Sequence, residues 1–294
     1  MFKKTFLIII SFVLFLTFSS CSRTQNEDSV FVKESDESFD YRLDEAKLLN
    51  TAKFSNDDIS ITLDNILYED LVTWFSFNVK SNSEKPLKIL VTDLSVNGIM
   101  YQNSLLEEID VKASKNVYFE ISNDWFFEFL IETIKELEFT VRILDENSEE
   151  IASSKILTAT TDAPKKYIQQ YNKSGTPVFE KDGALILSQG LNKSKMSDDF
   201  ELVFYMENNT DSHFSVIADE IYINEKSVLS SFIVSVGANK KATESMLFTQ
   251  KELKDLKIEE ITSVKALFRA IDKKSNIVFK TDLLDIPLVI RESN

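Results

Sequence analysis

The stretch from Phe75 to Gly98, FSFNVKSNSEKPLKILVTDLSVNG, returns 127 residues later as LVFYMENNTDSHFSVIADEIYINE. Phe77 falls on Phe204, Asn82 on Asn209 and Asn97 on Asn224, and Ile134, Arg142, Asp145 and Ser148 meet Ile261, Arg269, Asp272 and Ser275 at the same interval. Between these blocks the spacing slips by about two residues. A fixed internal period constrains a fold more than any single motif, because it says that one unit has been built twice. Two units of about 110 residues can each hold a core. The 294-residue chain divides accordingly into 51–161, a linker at 162–177, and 178–294.

Alternation inside each unit decides its class. Ile59, Ile61 and Leu63, then Phe75, Phe77 and Val79, then Leu137, Phe139, Val141 and Ile143 are separated by polar residues. Period-two patterning of this kind describes strands with one buried and one wet face. The pattern predicts strands near 59–67, 72–80, 87–96, 99–103, 115–121, 136–144 and 151–159, enough short strands for a β-sandwich. With 23 Phe the material for two cores is present, and with only 5 Gly and 4 Pro most turns fall to Asn, Asp, Ser and Lys. Asn97-Gly98 is the strongest hairpin signal, since a type I′ turn needs positive φ at both central residues. Its counterpart Asn224 is followed by Glu225 and Lys226, which predicts a longer turn in the second unit.

One short helix interrupts each unit. Asn123–Ile134, NDWFFEFLIETI, breaks the alternation: Asn123 can cap it, Phe127, Leu130, Ile131 and Ile134 take helical spacing, and Asp124, Glu128 and Glu132 share another face. Trp125 and Phe126 fall off the buried stripe, which makes them the contact patch to test if they are exposed. In the second unit Thr249-Gln250-Lys251-Glu252 is a capping box ahead of Leu253 and Leu256. The linker DAPKKYIQQYNKSGTP is punctuated by proline, and Tyr167, Ile168 and Tyr171 in it are expected to pack as a short helical turn. Pro287 restricts the last strand, 283–290, to an edge or a strand end.

At the N-terminus Lys3 and Lys4 precede an apolar run from Phe6 to Phe18, followed by Ser19, Ser20 and the single cysteine, Cys21. As a helix that run spans about 20 Å, short of a hydrocarbon core of about 30 Å, so residues 1–20 read as a signal peptide and not as a membrane span. Phe18-Ser19-Ser20-Cys21 resembles the lipobox of bacterial lipoproteins. The resemblance implies acylation of the Cys21 thiol, cleavage before it, and a chain held on the outer face of the cell membrane, of Gram-positive type. Residues 21–50 are polar and acidic and read as a tether. A docking motif around Phe39–Leu49, adding an edge strand or a half-turn of helix to the first unit, is the alternative.

The net charge of −15, with an excess of 11 acids in 51–161, works against binding a polyphosphate, so nucleic acid is not an expected partner. His213 is the single histidine and Cys21 the single cysteine, which removes His/Cys metal sites and Cys/His nucleophiles by count. A Ser-His-Asp triad would have to use His213, and carboxylate pairs are uninformative among 48 acids. Asp57-Asp58 and Asp198-Asp199 lie at loop-like positions, but the interrupted acidic loop of an EF-hand is absent. No catalytic residue, cofactor or metal is therefore expected.

With the lipobox, the repeat and Asp93-Leu94-Ser95-Val96-Asn97-Gly98 in hand, residues 51–290 resemble surface lipoproteins of low-GC Gram-positive bacteria with tandem immunoglobulin-like domains. The resemblance implies a mainly β chain: two tandem immunoglobulin-like β-sandwich domains, each with one short helix. It also implies a Val-x-x-Gly-Lys turn. Val111–Lys115 lacks that glycine and Val236–Lys240 displaces it, so those turns are expected to differ. Two functions follow as expectations. The first is a non-enzymatic binding or scaffolding module, tethered through Cys21, for a protein or cell-envelope partner. The second is capture of a solute or metal ion for a transporter, which a lined cleft between the units would favour.

Overall fold

Hydrophobic alternation becomes strand almost throughout. The computed structural model describes residues 42–194 and 197–288; the expected signal peptide, Cys21 and the tether up to residue 41 lie outside the described residues. The first repeat runs β1 (Leu48–Asn50), β2 (Lys53–Ser55), β3 (Ile59–Tyr68), β4 (Val72–Ser81), β5 (Leu87–Val96), β6 (Ile99–Met100), β7 (Leu105–Ile109), β8 (Ser114–Ser122), α1 (Asn123–Glu128), β9 (Glu136–Leu144), β10 (Glu150–Ser153) and β11 (Leu157–Thr161). The second runs β12 (Thr176–Lys181), β13 (Ala184–Lys193), β14 (Phe200–Asn208), β15 (Phe214–Ile223), β16 (Lys226–Ser227), β17 (Ile233–Val236), β18 (Lys241–Phe248), α2 (Gln250–Asp255), β19 (Val264–Ile271), β20 (Ile277–Lys280) and β21 (Leu284–Ile286). The chain is mainly β and sandwich-like.

In the first repeat the sheet β2-β3-β4-β8 faces β5, β7, β9, β10 and β11 across a core that includes Ile61, Phe75, Phe77, Ile89, Phe139 and Val141. Phe77 meets Phe139 edge-on at 5.3 Å. The second repeat builds its own apolar cluster, in which Phe204 meets Phe268 edge-on at 5.6 Å. The partner ring has moved two residues along its strand: Phe139 and Val141 correspond to Ala266 and Phe268, so bulk is exchanged between neighbouring inward positions. Each buried ring contributes about 1.5–3 kcal/mol.

Main-chain bonds hold the period. Ile131 N donates to Phe126 O and Ile258 N to Leu253 O; Ser148 N donates to Asp145 O and Ser275 N to Asp272 O; Lys112 N donates to Ser83 O and Asn239 N to Thr210 O. All stand 127 residues apart. The slip expected in the middle of the repeat is therefore absent there and lies near its start. Ile59 pairs Ser81 and Ala184 pairs Asn208, so the strand before the first hairpin has moved by 125 residues and the strand after it by 127. The β13–β14 loop carries the two extra residues. The turns at Lys112 (φ 50°) and Asn239 (φ 57°) are likewise the same turn. Backbone at positive φ, and not the position of Gly237, fixes the bend.

Three further expectations are corrected. Strand 151–159 is two strands, because Ser154 breaks it: its hydroxyl accepts from Val141 N at 2.9 Å and its own N–H donates to Val141 O at 2.8 Å. Thr281 does the same opposite Phe268 in the second repeat. The helix over 123–134 stops at Glu128, where Leu130 at φ 55° ends the turn. Residues 42–50 belong to the fold, not to a tether: Leu43 and Ala46 are buried, β1 pairs β11, and the Tyr68 hydroxyl donates to Ala46 O at 2.9 Å. Burial pushes that hydroxyl's pKa up to about 12. The edge-strand alternative describes this segment.

Candidate functional site

Asn97 and Asn224 are the repeat's fixed points. Asn97 (φ 50°) and Gly98 (φ 83°) make the two-residue β5–β6 turn, as predicted. Asn224 (φ 47°) and Glu225 (φ 65°) make the same turn, so the longer turn expected there is corrected. The side chains explain how a glutamate is held at positive φ. Asn97 Nδ2 donates to Thr133 O at 2.8 Å, and its Oδ1 accepts from Lys135 N at 2.8 Å and Glu136 N at 3.1 Å. Asn224 Nδ2 donates to Glu260 O at 2.6 Å, and its Oδ1 accepts from Thr262 N at 2.9 Å and Ser263 N at 3.0 Å. Every partner is displaced by 127 residues. Both amides clamp the hairpin to the segment after the helix, which is a structural task.

The exposure on which a contact patch at Trp125 and Phe126 depended is not met. Phe126 is fully buried, and Trp125 packs against the first core between Tyr101 and Phe129. The short helix turns out Phe127 and Leu130 instead, while Ile131 and Ile134 reach the core from non-helical backbone. Ser122, not Asn123, is the N-cap. Asn123 is buried and ties the helix to the β3–β4 turn, donating to Glu69 O at 2.7 Å and accepting from the Thr73 hydroxyl at 2.9 Å. Thr249 caps α2 as predicted, but Glu252 accepts from Leu229 N.

The two repeats meet head to tail. The β5–β6 tip reaches across, Lys241 N donates to Gly98 O at 3.0 Å, and Ile99 pairs Lys241 in a parallel bridge that joins both repeats into one 11-stranded sheet. Met100 is part of the second core, with Gly237 against its sulfur. Gln102 makes two bonds to Ser235 main chain, Lys240 pairs with Glu138, and Lys273 pairs with Asp93 at 2.7 Å. The linker forms a turn closed by Tyr167 N on Pro164 O, without the expected helix; Ile168 is exposed, and Tyr171 donates to Asn97 O under Lys241.

Beside this contact lies a polar groove of about 670 Å³, lined by Thr92, Asp93, Gln102, Thr140, Arg142 and Glu150 from the first repeat and by His213, Ser215, Ser235 and Lys273 from the second. Burial holds the His213 imidazole below its ordinary pKa; Asp93 pulls it up and Lys273 pushes it down. A second cleft, of about 700 Å³, runs between the linker and Leu49, Asn97, Lys135 and Thr160. Of the acidic pairs, Asp198 is bound to Lys193 and Asp199 accepts from Gln250 N. Among the described residues no three His, Cys, Asp or Glu side chains gather as a metal site.

Alternation also carried a signal that pointed outward. Because Phe75, Phe77 and Val79 face the core, Trp74 and Asn78 face away from it, and on β8 Tyr118 and Asn116 do the same. Trp74 and Tyr118 meet edge-on at 6.4 Å, and Asn78 Nδ2 donates to Asn116 Oδ1 at 3.0 Å.

No family model matches the chain, and no curated protein matches it. Among solved structures it is similar to a red sea bream transglutaminase at 8% identity and a TM-score of 0.21, over 86% of this chain and 32% of that one. The chain thus spans about a third of that protein, and a likeness this low carries no argument about function. Among the described residues no helix is long and apolar enough to cross a membrane.

Proposed function

We propose that the protein is an extracytoplasmic lipoprotein, tethered to the membrane through Cys21, whose two immunoglobulin-like sandwich domains form a non-enzymatic binding or scaffolding module for a protein or cell-envelope partner. The observation that carries this reading is the head-to-tail joint. Met100 at the tip enters the second core, Ile99 bridges to Lys241 and Lys240 pairs with Glu138, so the two units present their surfaces in one fixed arrangement. A fixed arrangement suits recognition, because little ordering is left to be done when a partner binds.

The polar groove between the repeats favours a second reading, capture of a small solute for a transporter, since ligand pockets concentrate at such junctions. A thermal-unfolding screen of the full chain in detergent against divalent cations, amino acids, oligosaccharides and cell-wall fragments separates the two. A solute at a hundred times its Kd adds about 2.7 kcal/mol. A shift with a free solute that Arg142→Ala abolishes selects capture. A screen silent to every solute, with cross-linking to an envelope component in cells, selects the first reading. The tether is tested by Cys21→Ala, which is expected to move the protein out of the membrane fraction; unchanged partition would overturn it.

A further inference from the structure

We propose that the outer face of the first repeat's β3-β4-β8 sheet is a binding site for a neutral glycan chain, with Trp74 and Tyr118 as its stacking surface. This rests on the reading of the protein as a surface binding module and names a ligand class for it. The site is a corner: the two rings stand at 84° with centroids 6.4 Å apart, one ring able to take the C–H face of a sugar while the other borders it. Aromatic faces carry negative quadrupole and attract such C–H groups, and Trp and Tyr offer large area for little side-chain entropy. Tyr118 is 45% exposed and Leu67, opposite Trp74 in the register, is 37% exposed. One pleat further along, Asn78 and Asn116 are bonded to each other by one N–H, which leaves amide donors and acceptors for hydroxyl groups.

The second repeat shows what this face does when it is used. At the positions of Trp74, Asn78, Asn116 and Tyr118 it carries Glu201, Tyr205, Thr243 and Ser245. There Tyr205 and Glu207 are buried, because the linker crosses the sheet: Lys173 pairs with Glu207 at 2.6 Å and Gln189 donates to Asn172 O at 2.9 Å. The same sheet face is thus a docking surface inside this molecule. In the first repeat it bears aromatic rings and amides, and among the described residues no linker crosses it. Charge sets the class of glycan. The first repeat carries 11 more acids than bases, with Glu120 beside Trp74 in the register, and repels polyanionic polymers.

The test uses tryptophan emission, since the chain has 2 Trp and the other, Trp125, packs against the core. The full chain in detergent is titrated with neutral chito-, cello- and malto-oligosaccharides. A saturable change is expected with at least one series, lost in Trp74→Ala, which removes the reporting ring, and weakened about tenfold or more by Tyr118→Ala. Asn116→Asp, which keeps size and removes the amide N–H donors, is expected to weaken binding with unfolding unchanged. No saturable change, or one indifferent to Tyr118→Ala and Asn116→Asp, overturns the proposal. Binding of a polyanionic polymer or a peptide alone overturns the ligand class and leaves the surface-module reading standing; loss of envelope cross-linking in cells as well overturns both.

Discussion

In the first repeat the β5–β6 tip carries Ile99, buried in its own core and bridged to Lys241, and Met100, buried in the second core; in the second, the same positions are Lys226 and Ser227, both exposed. Lys226 folds back onto Leu256 O at 2.7 Å instead of reaching out. The receiving surface differs in the same sense. Gly237, Lys240 and Lys241, which accept the tip, correspond to Asp110, Ala113 and Ser114 in the first repeat. The frame is shared because main-chain bonds and the Asn clamp set it, and those tolerate almost any side chain outside the core. The surfaces are free to diverge, and here they have diverged into one donor and one acceptor. A joint of this heterologous kind would propagate if both surfaces survived in both units.

The largest effect expected from breaking this comparison is at the clamp. Asn97→Ala removes the bonds to Thr133, Lys135, Glu136 and Gln169 and places alanine at φ 50°, which costs about 4 kcal/mol. Asn224→Ala removes as many bonds, to Glu260 O, Thr262 N, the Thr262 hydroxyl and Ser263 N, at φ 47°, and should cost about as much. Urea unfolding of both variants measures the two costs, and a markedly larger loss at Asn97 would show that its bond to Gln169 outweighs the Thr262 hydroxyl bond of Asn224.

Met100→Ser copies the second tip onto the first and empties a place in the second core, a loss of about 3 kcal/mol. Calorimetry should then show two transitions where the parent is expected to show one. A single transition shifted downward would mean that the repeats stay coupled without Met100.

Glu225→Gly copies in the other direction. It relieves a side chain at φ 65° and should stabilise by about 0.5–1 kcal/mol, provided the unfolded chain's added freedom does not offset it. The smallest effect concerns His213, which stands where the first repeat has Pro86. Its folded pKa is below the ordinary 6.5, so the unfolded chain takes up the proton first. Its contribution to stability is complete above that value and declines as pH falls through it toward the folded pKa. His213→Gln should flatten the stability profile as pH falls below the ordinary 6.5, and an unchanged slope would place the titrating group elsewhere.

Much of the frame was legible in the sequence. Strands 59–68, 72–81, 87–96, 114–122 and 136–144 follow the alternation, because a half-buried strand needs one apolar face and no tertiary partner to announce it. The Asn97-Gly98 turn followed from its φ requirement. The α1 stripe did not follow: helical spacing over Asn123–Ile134 assumed that the helix continued, whereas the positive φ of Leu130 turns Phe126 in and Phe127 out. Strand 151–159 looked continuous because a hydroxyl at Ser154 gives no hydropathy signal, yet it replaces a ladder partner. The outward Trp74 and Tyr118 were implied by the same alternation that buried Phe75 and Phe77; only their adjacency across β4 and β8 makes a surface of them.

What the sequence determined by itself is therefore local and periodic: the class of the fold, the duplication, the turn at Asn97 and the count of residues able to do histidine or cysteine chemistry. The tertiary structure decided which repeat docks on which, that residues 42–50 join the first sheet, that Asn97 and Asn224 clamp distant segments, and which aromatic rings are left facing solvent. The division has one physical cause. Periodicity and φ preferences act between neighbours along the chain, while the joint at Met100, the bonds of Asn97 and the face of Trp74 depend on residues tens to more than a hundred positions away, whose approach only the folded backbone fixes.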